Sequence, residues 1–577
     1  MQSFDSENSL TSGDEQIGST ERLESAGCRL TRRQIIGALA GAAAGGALFQ
    51  RALAAQVEEQ QRISAEMVAQ AEWVAGIPLT EAERAATAGA LDKLQRQLSA
   101  LRSADVGYDV APAVQFAPRP FAQLDAVEPD RVAHAIDQTA PPRPDNDEDI
   151  AFMPVWQLAS LLRSRAISSV DLTKIYLERL RRHDEVLHCV VSFTDDLALE
   201  QAARADREIA AGEYRGPLHG VPWGAKDLIA HPGYKTTWGA GQFQDQVLDY
   251  KATIAERLDQ AGAVLIAKLT LGAIAWGDKW FGGMTRNPWN VEQGSSGSSA
   301  GSASAAAAGL VGFAIGSETL GSIVSPCRRC GATGLRPTFG RVSRDGCMTL
   351  AWSMDKLGPI ARSVEDCALV FDAIHGYDGK DKTVGTAPFQ WPSKAKLSDL
   401  KVGYFKDGRD QDERRDLQAL EQLGVTLVEI ELPDSLPEWA LTMILDVESA
   451  TVFDEFTRRG ENEGLNRWPP VWRKAQFVSA VEYLRANRVR TKLVAEMEEL
   501  FQSVDCYVGG NDLVITNFTG HPTVVLPLEF RERDGRPIPS PITFTGQLFE
   551  EEKLLALTNA FQLATGTHLR RPEIPPA

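Results

Sequence analysis

Two Gly/Ser-rich turns carry the residues whose types and spacing could do chemistry. The first lies at 294–299 and the second at 316–322. A small-residue helix and an apolar run join them, so both turns are attached to rigid elements. Such turns can place hydroxyl groups and free backbone N–H groups around a reacting carbonyl, as nucleophilic acyl transfer requires. Tight packing of small residues is the alternative explanation of the same composition.

A candidate base lies upstream of both turns. Lys226 ends the short apolar segment 221–226 and is followed by Asp227. Burial disfavours the charged form of a lysine, so a buried lysine can lose its proton near neutral pH and act as a base. The local pattern alone is more typical of a lysine on the surface, and both interpretations stay open at this point.

Charge and cysteine content exclude some classes of function. The 577 residues carry a formal net charge of −18, which argues against nucleic acid as the main partner, since phosphate binding needs clustered Lys and Arg. The seven cysteines are too sparse for a disulfide framework. Cys327 and Cys330 form a lone CxxC without a second pair, and we expect buried thiols there rather than a zinc or redox site.

The first 54 residues are predicted to be a leader with a targeting signal rather than part of the folded domain. Residues 1–30 are polar and acidic and are expected to be disordered. Arg32 and Arg33 then precede an Ala/Gly-rich apolar run, and Ala52-Leu53-Ala54 offers a cleavage site. This order indicates a twin-Arg signal for export to the periplasm or beyond. A membrane anchor is the alternative, but the run is shorter than the ~20 residues that span a bilayer.

The remaining chain divides by composition into two parts. Residues 55–147 are predicted to form a helical extension and a Pro-rich linker, and residues 148–577 the catalytic domain. In the second part, strand-like segments such as 190–193, 221–226 and 263–267 alternate with amphipathic helices, the first of which is predicted over 154–182. This alternation predicts an α/β fold.

Several motifs in one order resemble the amidase signature family. The resemblance covers roughly residues 150–570 and implies an amide hydrolase with a large twisted mixed β-sheet covered by helices on both faces. The matching segments are 220–227, 267–270, 285–290, 297–302, 316–322, 330–338, 355–359 and 519–522.

The resemblance also implies a Ser–Ser–Lys triad whose middle serine has a cis peptide bond. Lys226 matches the base, Ser322 the nucleophile and Ser298 the bridging serine, with Ser299 as the competing choice for the bridge. Neither a cofactor nor a metal is implied. The backbone N–H groups implied for the oxyanion hole are those of Thr319, Leu320, Gly321 and Ser322.

Three residues depart from the family pattern around the second turn. The family usually has Asp at the position of Glu318, Gly at that of Leu320 and Arg at that of Val324. Leucine does not adopt a positive φ cheaply. We therefore expect Leu320 either to narrow the pocket or to require a slightly different turn.

Other motifs offer rival catalytic residues. Residues 297–301 fit the GxSxG nucleophile elbow with Ser299 as the nucleophile, but that elbow needs a strand directly before it, and we expect none at 289–294. Residues 353–356 fit SxxK, a pattern that occurs easily by chance. His521 is a conceivable base within a Gly-His-Pro turn, and we expect it to be structural.

These observations leave three functional hypotheses. The first is a stand-alone exported hydrolase of a small-molecule amide, with no nucleic acid partner and no stable membrane anchor. The second is the A subunit of a glutamyl-tRNA amidotransferase, which delivers ammonia to a partner. The third is a non-catalytic binding protein, and whether the chain forms a homodimer is open.

Specificity is expected in residues 430–520, where the family motifs are thin. Aromatic residues in this region either line an apolar pocket or fill a core, and we expect the core. They are Trp439, Trp468, Trp472 and Tyr483.

Overall fold

The computed structural model describes residues 63–75, 80–82, 84–85, 88, 141–406, 408, 414–475, 478–533 and 535–576. The predicted leader and signal at 1–54 lie outside the described residues, as does most of the predicted extension and linker at 55–147. The chain divides into two units, residues 1–97 and 98–577. The described part of the first unit contains helix α1 (Ala65–Ala75).

The second unit contains the other helices described here. They are α2 (Asp147–Ala151), α3 (Val155–Arg163), α4 (Ser169–Leu187), α5 (Asp195–Ala210), α6 (Thr253–Gln260), α7 (Ala300–Ala307), α8 (Val324–Cys330), α9 (Val364–Ile374), α10 (Arg415–Gln422), α11 (Thr442–Val452), α12 (Asp454–Arg459), α13 (Trp468–Ala475), α14 (Ala480–Leu500), α15 (Leu513–Thr519) and α16 (Glu551–Thr565). Among the described residues, none of these helices is both long and apolar enough to cross a membrane.

The strands form one large sheet and two small ribbons. They are β1 (Val190–Phe193), β2 (Pro222–Lys226), β3 (Val264–Leu269), β4 (Lys279–Trp280), β5 (Gly283–Met284), β6 (Arg286–Asn287), β7 (Asn290–Gly294), β8 (Phe313–Glu318), β9 (Thr333–Arg336), β10 (Lys356–Ala361), β11 (Lys401–Tyr404), β12 (Thr426–Glu429), β13 (Cys506–Val508), β14 (Thr523–Arg533) and β15 (Arg536–Gly546).

The large sheet has 11 strands in the order β1-β3-β2-β8-β10-β9-β14-β15-β13-β11-β12. It is mixed: β2 runs parallel to both β3 and β8, whereas β10 is antiparallel to β8 and β9. Helices α5, α7, α9 and α16 pack against its strands. The α/β class expected from the alternation of elements is therefore confirmed.

The strands that carry the site are buried along their whole length. Every residue of β2, β3 and β8 is buried, and their apolar side chains join one hydrophobic core. Strands buried on both faces have continuous apolar sequences instead of alternating ones. This is why the apolar runs before Lys226 and at 263–267 could be recognised as strands.

One long helix predicted over 154–182 is two helices in the structure. The chain turns between α3 and α4, where Arg165 adopts a positive φ of 60°. The second helix then begins with its own cap, because the Ser168 side chain accepts a hydrogen bond from the N–H of Asp171. Amphipathic periodicity continues across the break, so the pattern did not show it.

Candidate active site

Two neighbouring strands bring the predicted base and the second turn to one edge of the sheet. Lys226 is the last residue of β2, and Glu318 is the last residue of β8. The two strands are parallel partners, with Ala225 opposite Ile315. Parallel neighbours end at the same edge of a sheet, where ligands commonly bind. The turn at 319–322 therefore begins beside Lys226.

The first turn lies between β7 and α7 and is packed tightly against another loop. A Cβ atom added to Gly297 would lie 1.9 Å from the backbone oxygen of Gly277, so only glycine fits there. The Asp278 carboxylate accepts a hydrogen bond of 2.9 Å from the N–H of Ser296. The Gly297–Ser298 peptide bond is cis, the feature that the family resemblance assigns to the bridging serine.

Lys226 is fully buried among hydroxyl groups. Its Nζ lies 2.8 Å from Ser298 Oγ, 3.0 Å from Ser299 Oγ and 2.8 Å from Ser317 Oγ. Burial lowers the pKa of Lys226 to about 7, although the Asp355 and Glu318 carboxylates act in the opposite direction. The surface interpretation of this lysine is thus wrong, and the side chain can be neutral near neutral pH.

The hydrogen bonds of the two adjacent serines differ. The Ser299 hydroxyl donates to the backbone oxygen of Ser317 at 3.0 Å and accepts from the backbone N–H of Ser317 at 3.1 Å and from Lys226. Its proton is therefore committed to a carbonyl group. Among the described residues, Lys226 is the hydrogen-bond partner of the Ser298 hydroxyl. Ser298 thus keeps the hydrogen-bonding capacity that a proton relay needs.

The second turn is tied to the first by its backbone. The N–H of Ser299 donates to the backbone oxygen of Ser322 at 3.1 Å, so the two turns lie side by side. The positive φ of the second turn falls on Gly321, at 88°. Leu320 therefore does not need the left-handed conformation that its size would penalise. Its side chain is half-buried and packs against the hydrophobic core.

The N–H groups of the second turn point away from the protein's own acceptors. Within the part of the chain that the structure describes, no acceptor is found for the backbone N–H groups of residues 319–322. The next two N–H groups, of Ile323 and Val324, both donate to Glu318, at 2.7 and 2.9 Å. Four unpaired donors in one turn are the arrangement that an oxyanion hole requires.

Glu318 holds the second turn through a buried charge pair. Its carboxylate lies 2.8 Å from Arg336 and accepts a hydrogen bond of 2.8 Å from Asn517. Burial by itself would raise the pKa of Glu318, but Arg336 and Lys356 outweigh this and lower it to about 2. The family usually has Asp at this position, and Glu318 likewise supplies an ionised carboxylate. This carboxylate connects the start of the turn to its end by accepting hydrogen bonds from the N–H groups of Ile323 and Val324.

A second acidic residue supports the turn from its other side. Asp355 accepts a hydrogen bond of 2.6 Å from Thr319 Oγ1. Its other oxygen accepts from the N–H groups of Leu350 and Ala351, at 2.8 and 3.0 Å. The neighbouring Lys356 is buried, and its Nζ donates to the backbone oxygens of Thr319 and Met354.

Neither rival motif supplies a nucleophile with an uncommitted hydroxyl group. The expectation that 289–294 holds no strand is wrong, because residues Asn290–Gly294 form β7. That strand belongs to a small ribbon with β6 and ends five residues before Ser299, whose hydroxyl is engaged with Ser317. In the SxxK segment, the Ser353 hydroxyl donates to Glu448 at 2.6 Å.

His521 and the cysteines have structural surroundings. The His521 ring is buried, stacks on Phe501 at 4.8 Å and lies 2.7 Å from Thr519 Oγ1. Cys327 and Cys330 are buried free thiols, as the sequence predicted. Burial also raises the pKa of both thiols, so they are poor nucleophiles and poor metal ligands in this state.

The aromatic residues of the specificity region divide into two groups. Trp468 and Trp472 are buried and stack at 5.6 Å, which confirms the expectation of a core. The hydroxyl of half-buried Tyr483 donates to Glu448 at 2.9 Å. Trp439 is 71% exposed and belongs neither to the core nor to a closed pocket, so the prediction is wrong for this residue.

Sequence reasoning missed three residues that shape the site. Ser317 contacts Lys226 directly, Asp355 holds Thr319, and Arg336 pairs with Glu318. All three lie inside the segments that match the family motifs, but no local sequence pattern indicates their roles. These roles arise from contacts between segments that are distant in the chain.

Comparisons with known proteins agree with this arrangement. A family model described as Amidase matches residues 171–510. The A subunit of glutamyl-tRNA(Gln) amidotransferase from Moorella thermoacetica is 32% identical over 489 residues, which cover 74% of this chain and 99% of that protein. The structure of peptide amidase from Stenotrophomonas maltophilia aligns with a TM-score of 0.64 and 28% identity, covering 73% of this chain and 98% of that one.

A more distant structure shares the fold. A bacterial aryl acylamidase aligns with a TM-score of 0.65 at 22% identity and covers 74% of this chain and 99% of its own. The family model spans more than half of the present chain, and the described geometry brings its motifs together at one sheet edge. The chain belongs to the amidase signature family, and it is an amide hydrolase.

Proposed function

We propose that the protein cleaves the C–N bond of a carboxylic amide through an acyl-enzyme on Ser322, with Ser298 and Lys226 as the proton relay. The observation that carries the proposal is the buried lysine, whose Nζ contacts Ser298 and whose pKa is lowered to about 7 by burial. A base with a pKa near the working pH is the most effective one for general base catalysis.

The first half of the reaction builds the acyl-enzyme. As Ser322 Oγ bonds to the amide carbonyl carbon, its proton moves to Ser298 while the Ser298 proton moves to neutral Lys226. The carbonyl oxygen becomes an oxyanion and accepts hydrogen bonds from the N–H groups of residues 319–322. Removing one such donor typically costs about 3 kcal/mol in the transition state. The C–N bond then breaks, and the departing nitrogen takes a proton back from the relay.

The second half of the reaction restores the enzyme. Water attacks the acyl carbonyl carbon and gives a proton to the relay, the C–O bond to Ser322 breaks, and Ser322 Oγ is protonated again. The products are a carboxylic acid and an amine or ammonia. The unpaired N–H groups stabilise the second tetrahedral oxyanion in the same way as the first.

Replacement of the nucleophile tests this assignment. Ser322→Ala is expected to abolish amide hydrolysis, because the other hydroxyl of residues 319–322, on Thr319, is held by Asp355. Hydrolysis of a simple amide and mass-spectrometric detection of a fluorophosphonate adduct on Ser322 are the measurements. Thr558→Ala is the matched control for loss of a buried hydroxyl, since Thr558 donates within its own helix α16. Hydrolysis at a tenth or more of the wild-type rate by Ser322→Ala would exclude this nucleophile.

The second candidate function is that of the A subunit of a glutamyl-tRNA amidotransferase. The identity of 32% to an A subunit whose length is matched almost completely favours it. The Arg32-Arg33 pair before an apolar run favours the stand-alone exported hydrolase instead. Purification of the full chain and assay of ammonia release from glutamine and from simple amides separates the two. Activity only with a co-purifying partner would support the amidotransferase role.

A further inference from the structure

A cavity of 620 Å³ is used by no step of the mechanism above, and part of its lining is hydrogen-bonded to the backbone of the residues that follow Lys226. Its size falls in the range of small-molecule pockets, about 300–1,000 Å³. Residues from four separate chain segments line it, including Trp238, Tyr250, Asp345, Met348, Thr349 and Phe453. A cavity of this size is a candidate for ligand binding.

One wall of the cavity is built on the residues that follow Lys226. The N–H of Trp238 donates to the backbone oxygen of Asp227 at 3.2 Å, and the N–H of Met348 donates to that of Leu228 at 3.0 Å. Ile229 forms a β-bridge with Cys347. The lining is therefore fixed directly to the end of the strand that carries the base.

The same lining is also connected to the second turn. Thr349 precedes Leu350, whose N–H donates to Asp355 Oδ2 at 2.8 Å. The other oxygen of that carboxylate accepts from Thr319 Oγ1 at 2.6 Å. The cavity wall and the N–H groups of the proposed oxyanion hole thus share one carboxylate as a support.

One side of the cavity is aromatic and rigidly supported. Trp238 packs edge-on against Phe453 at 6.2 Å and against Phe243 at 4.4 Å. Behind this pair, Phe453 stacks on Trp472 at 5.3 Å. Val452 and Phe453 lie in the region where the sequence predicted specificity. Rigid aromatic surfaces favour flat or bulky apolar groups.

The charged side chains of the lining are already neutralised. Lys380 lies 3.2 Å from Glu256 and 3.3 Å from Asp345. Lys251 pairs with Asp259. Each charged side chain of the lining is therefore already in an ion pair, and a neutral group can occupy the cavity without competing for these partners.

We infer that this cavity is the substrate pocket and that it holds an aromatic or similarly bulky apolar group of an uncharged amide. The inference rests on the proposed function, because it assigns the pocket to substrate of the Ser322 site. Such a pocket would also distinguish this chain from an enzyme whose substrate is free glutamine.

Filling the cavity tests the assignment. Thr349→Trp is expected to lower kcat/KM for N-acetylphenylalaninamide about 10-fold or more relative to kcat/KM for propionamide, mainly by raising KM for the aromatic amide. Thr426→Trp makes the same change on the exposed edge strand β12 and is the matched control. If Thr349→Trp changes the ratio of the two kcat/KM values less than twofold from that of the wild type, the inference is overturned.

A second measurement leaves the lining unaltered. Of the described free cysteines, Cys347 is the one that is not buried, and it lines the cavity. In Ser322→Ala, saturating N-acetylphenylalaninamide is expected to slow hydroxyl-radical oxidation of Cys347 at least threefold relative to that of the exposed Trp439, as measured by peptide mass spectrometry, and propionamide is expected to leave this ratio unchanged. An equal ratio with and without the aromatic amide would overturn the inference.

Failure of the pocket and failure of the proposed function have different signatures. If Ser322→Ala is inactive but neither test shows an effect of the aromatic group, the pocket assignment is wrong and the Ser322 mechanism stands. If Ser322→Ala keeps its activity, the proposed function is wrong whatever the result for Thr349→Trp.

Discussion

Lys226 is the residue on which the proposed chemistry depends, because it must be neutral to accept a proton. A lysine in water is almost fully charged at pH 7, since its pKa is about 10.4. Burial among three serine hydroxyls lowers the pKa of Lys226 to about 7. A useful fraction of the enzyme therefore holds the base in its active form at neutral pH.

The pH dependence of the reaction follows from this pKa. Below pH 7 Lys226 is mostly protonated, so kcat/KM for an uncharged amide is expected to fall about tenfold per pH unit there and to level off above it. Initial rates between pH 5 and 9 measure this. Lys226→Arg keeps a positive charge throughout this range and is expected to be inactive at every pH. A flat wild-type profile over the same range would contradict the assignment of Lys226 as the base.

Residue types alone could identify part of the site. An apolar strand that ends in a lysine and two Ser-bearing turns made Lys226 and the turns candidates, and the resemblance to the amidase signature family was needed to select Lys226, Ser298 and Ser322. The spacing from Ser322 favours Ser298 over Ser299 as the bridge, but the group to which each hydroxyl donates its proton depends on contacts in the folded chain. The hydrogen bond from Ser299 to Ser317 is such a contact.

At the scale of elements, the first turn is positioned by a loop that packs against its backbone. Gly297→Ala would place a Cβ atom 1.9 Å from the backbone oxygen of Gly277. The backbone of the turn would have to move away, and Ser298 would move with it. We expect Gly297→Ala to lose at least 100-fold in kcat, since small displacements of reacting groups have effects of about this size.

A matched glycine provides the control for this prediction. At Gly241 the nearest atom to an added Cβ would be 3.8 Å away, which is an ordinary contact. Gly241→Ala is expected to retain normal activity and stability. Activity within threefold of wild type for Gly297→Ala would show that the turn does not need its close contact with Gly277.

Long buried strands were predictable, and short ribbons were not. Strands β2 and β3 have continuous apolar sequences that match their burial. Strand β7 reads Asn-Val-Glu-Gln-Gly and is half-exposed, so neither apolar content nor alternation marks it. It is a strand because β6 pairs with it across a tight turn. Such tertiary pairing is not encoded in the local pattern.

At the scale of the whole molecule, the proposed destination of the enzyme is outside the cytoplasm. A fusion of residues 1–60 to a fluorescent protein that folds before export is expected to reach the periplasm of a host with a twin-Arg pathway. Replacing Arg32 and Arg33 by Lys in the same fusion is the control and is expected to abolish export. Fluorescence of the unaltered fusion that stays in the cytoplasm would exclude the signal.

The cysteines are compatible with such a route. The six that the structure describes are free, and five of them are buried, so the described fold contains no disulfide that would have to form after export. Burial also protects those five thiols from oxidation in an oxidising compartment. Within the part of the chain that the structure describes, a protein folded before transport would therefore need no disulfide to form at its destination.

The position of the β14–β15 hairpin has a consequence for synthesis of the chain. These are the last strands to leave the ribosome, yet they lie in the interior of the sheet, between β9 and β13. Until Gly546 has been translated, the edges of β9 and β13 lack their partners. Nascent chains thus expose unpaired strand edges almost to the end of translation, and such edges promote aggregation, so a chain truncated before Gly546 is expected to aggregate.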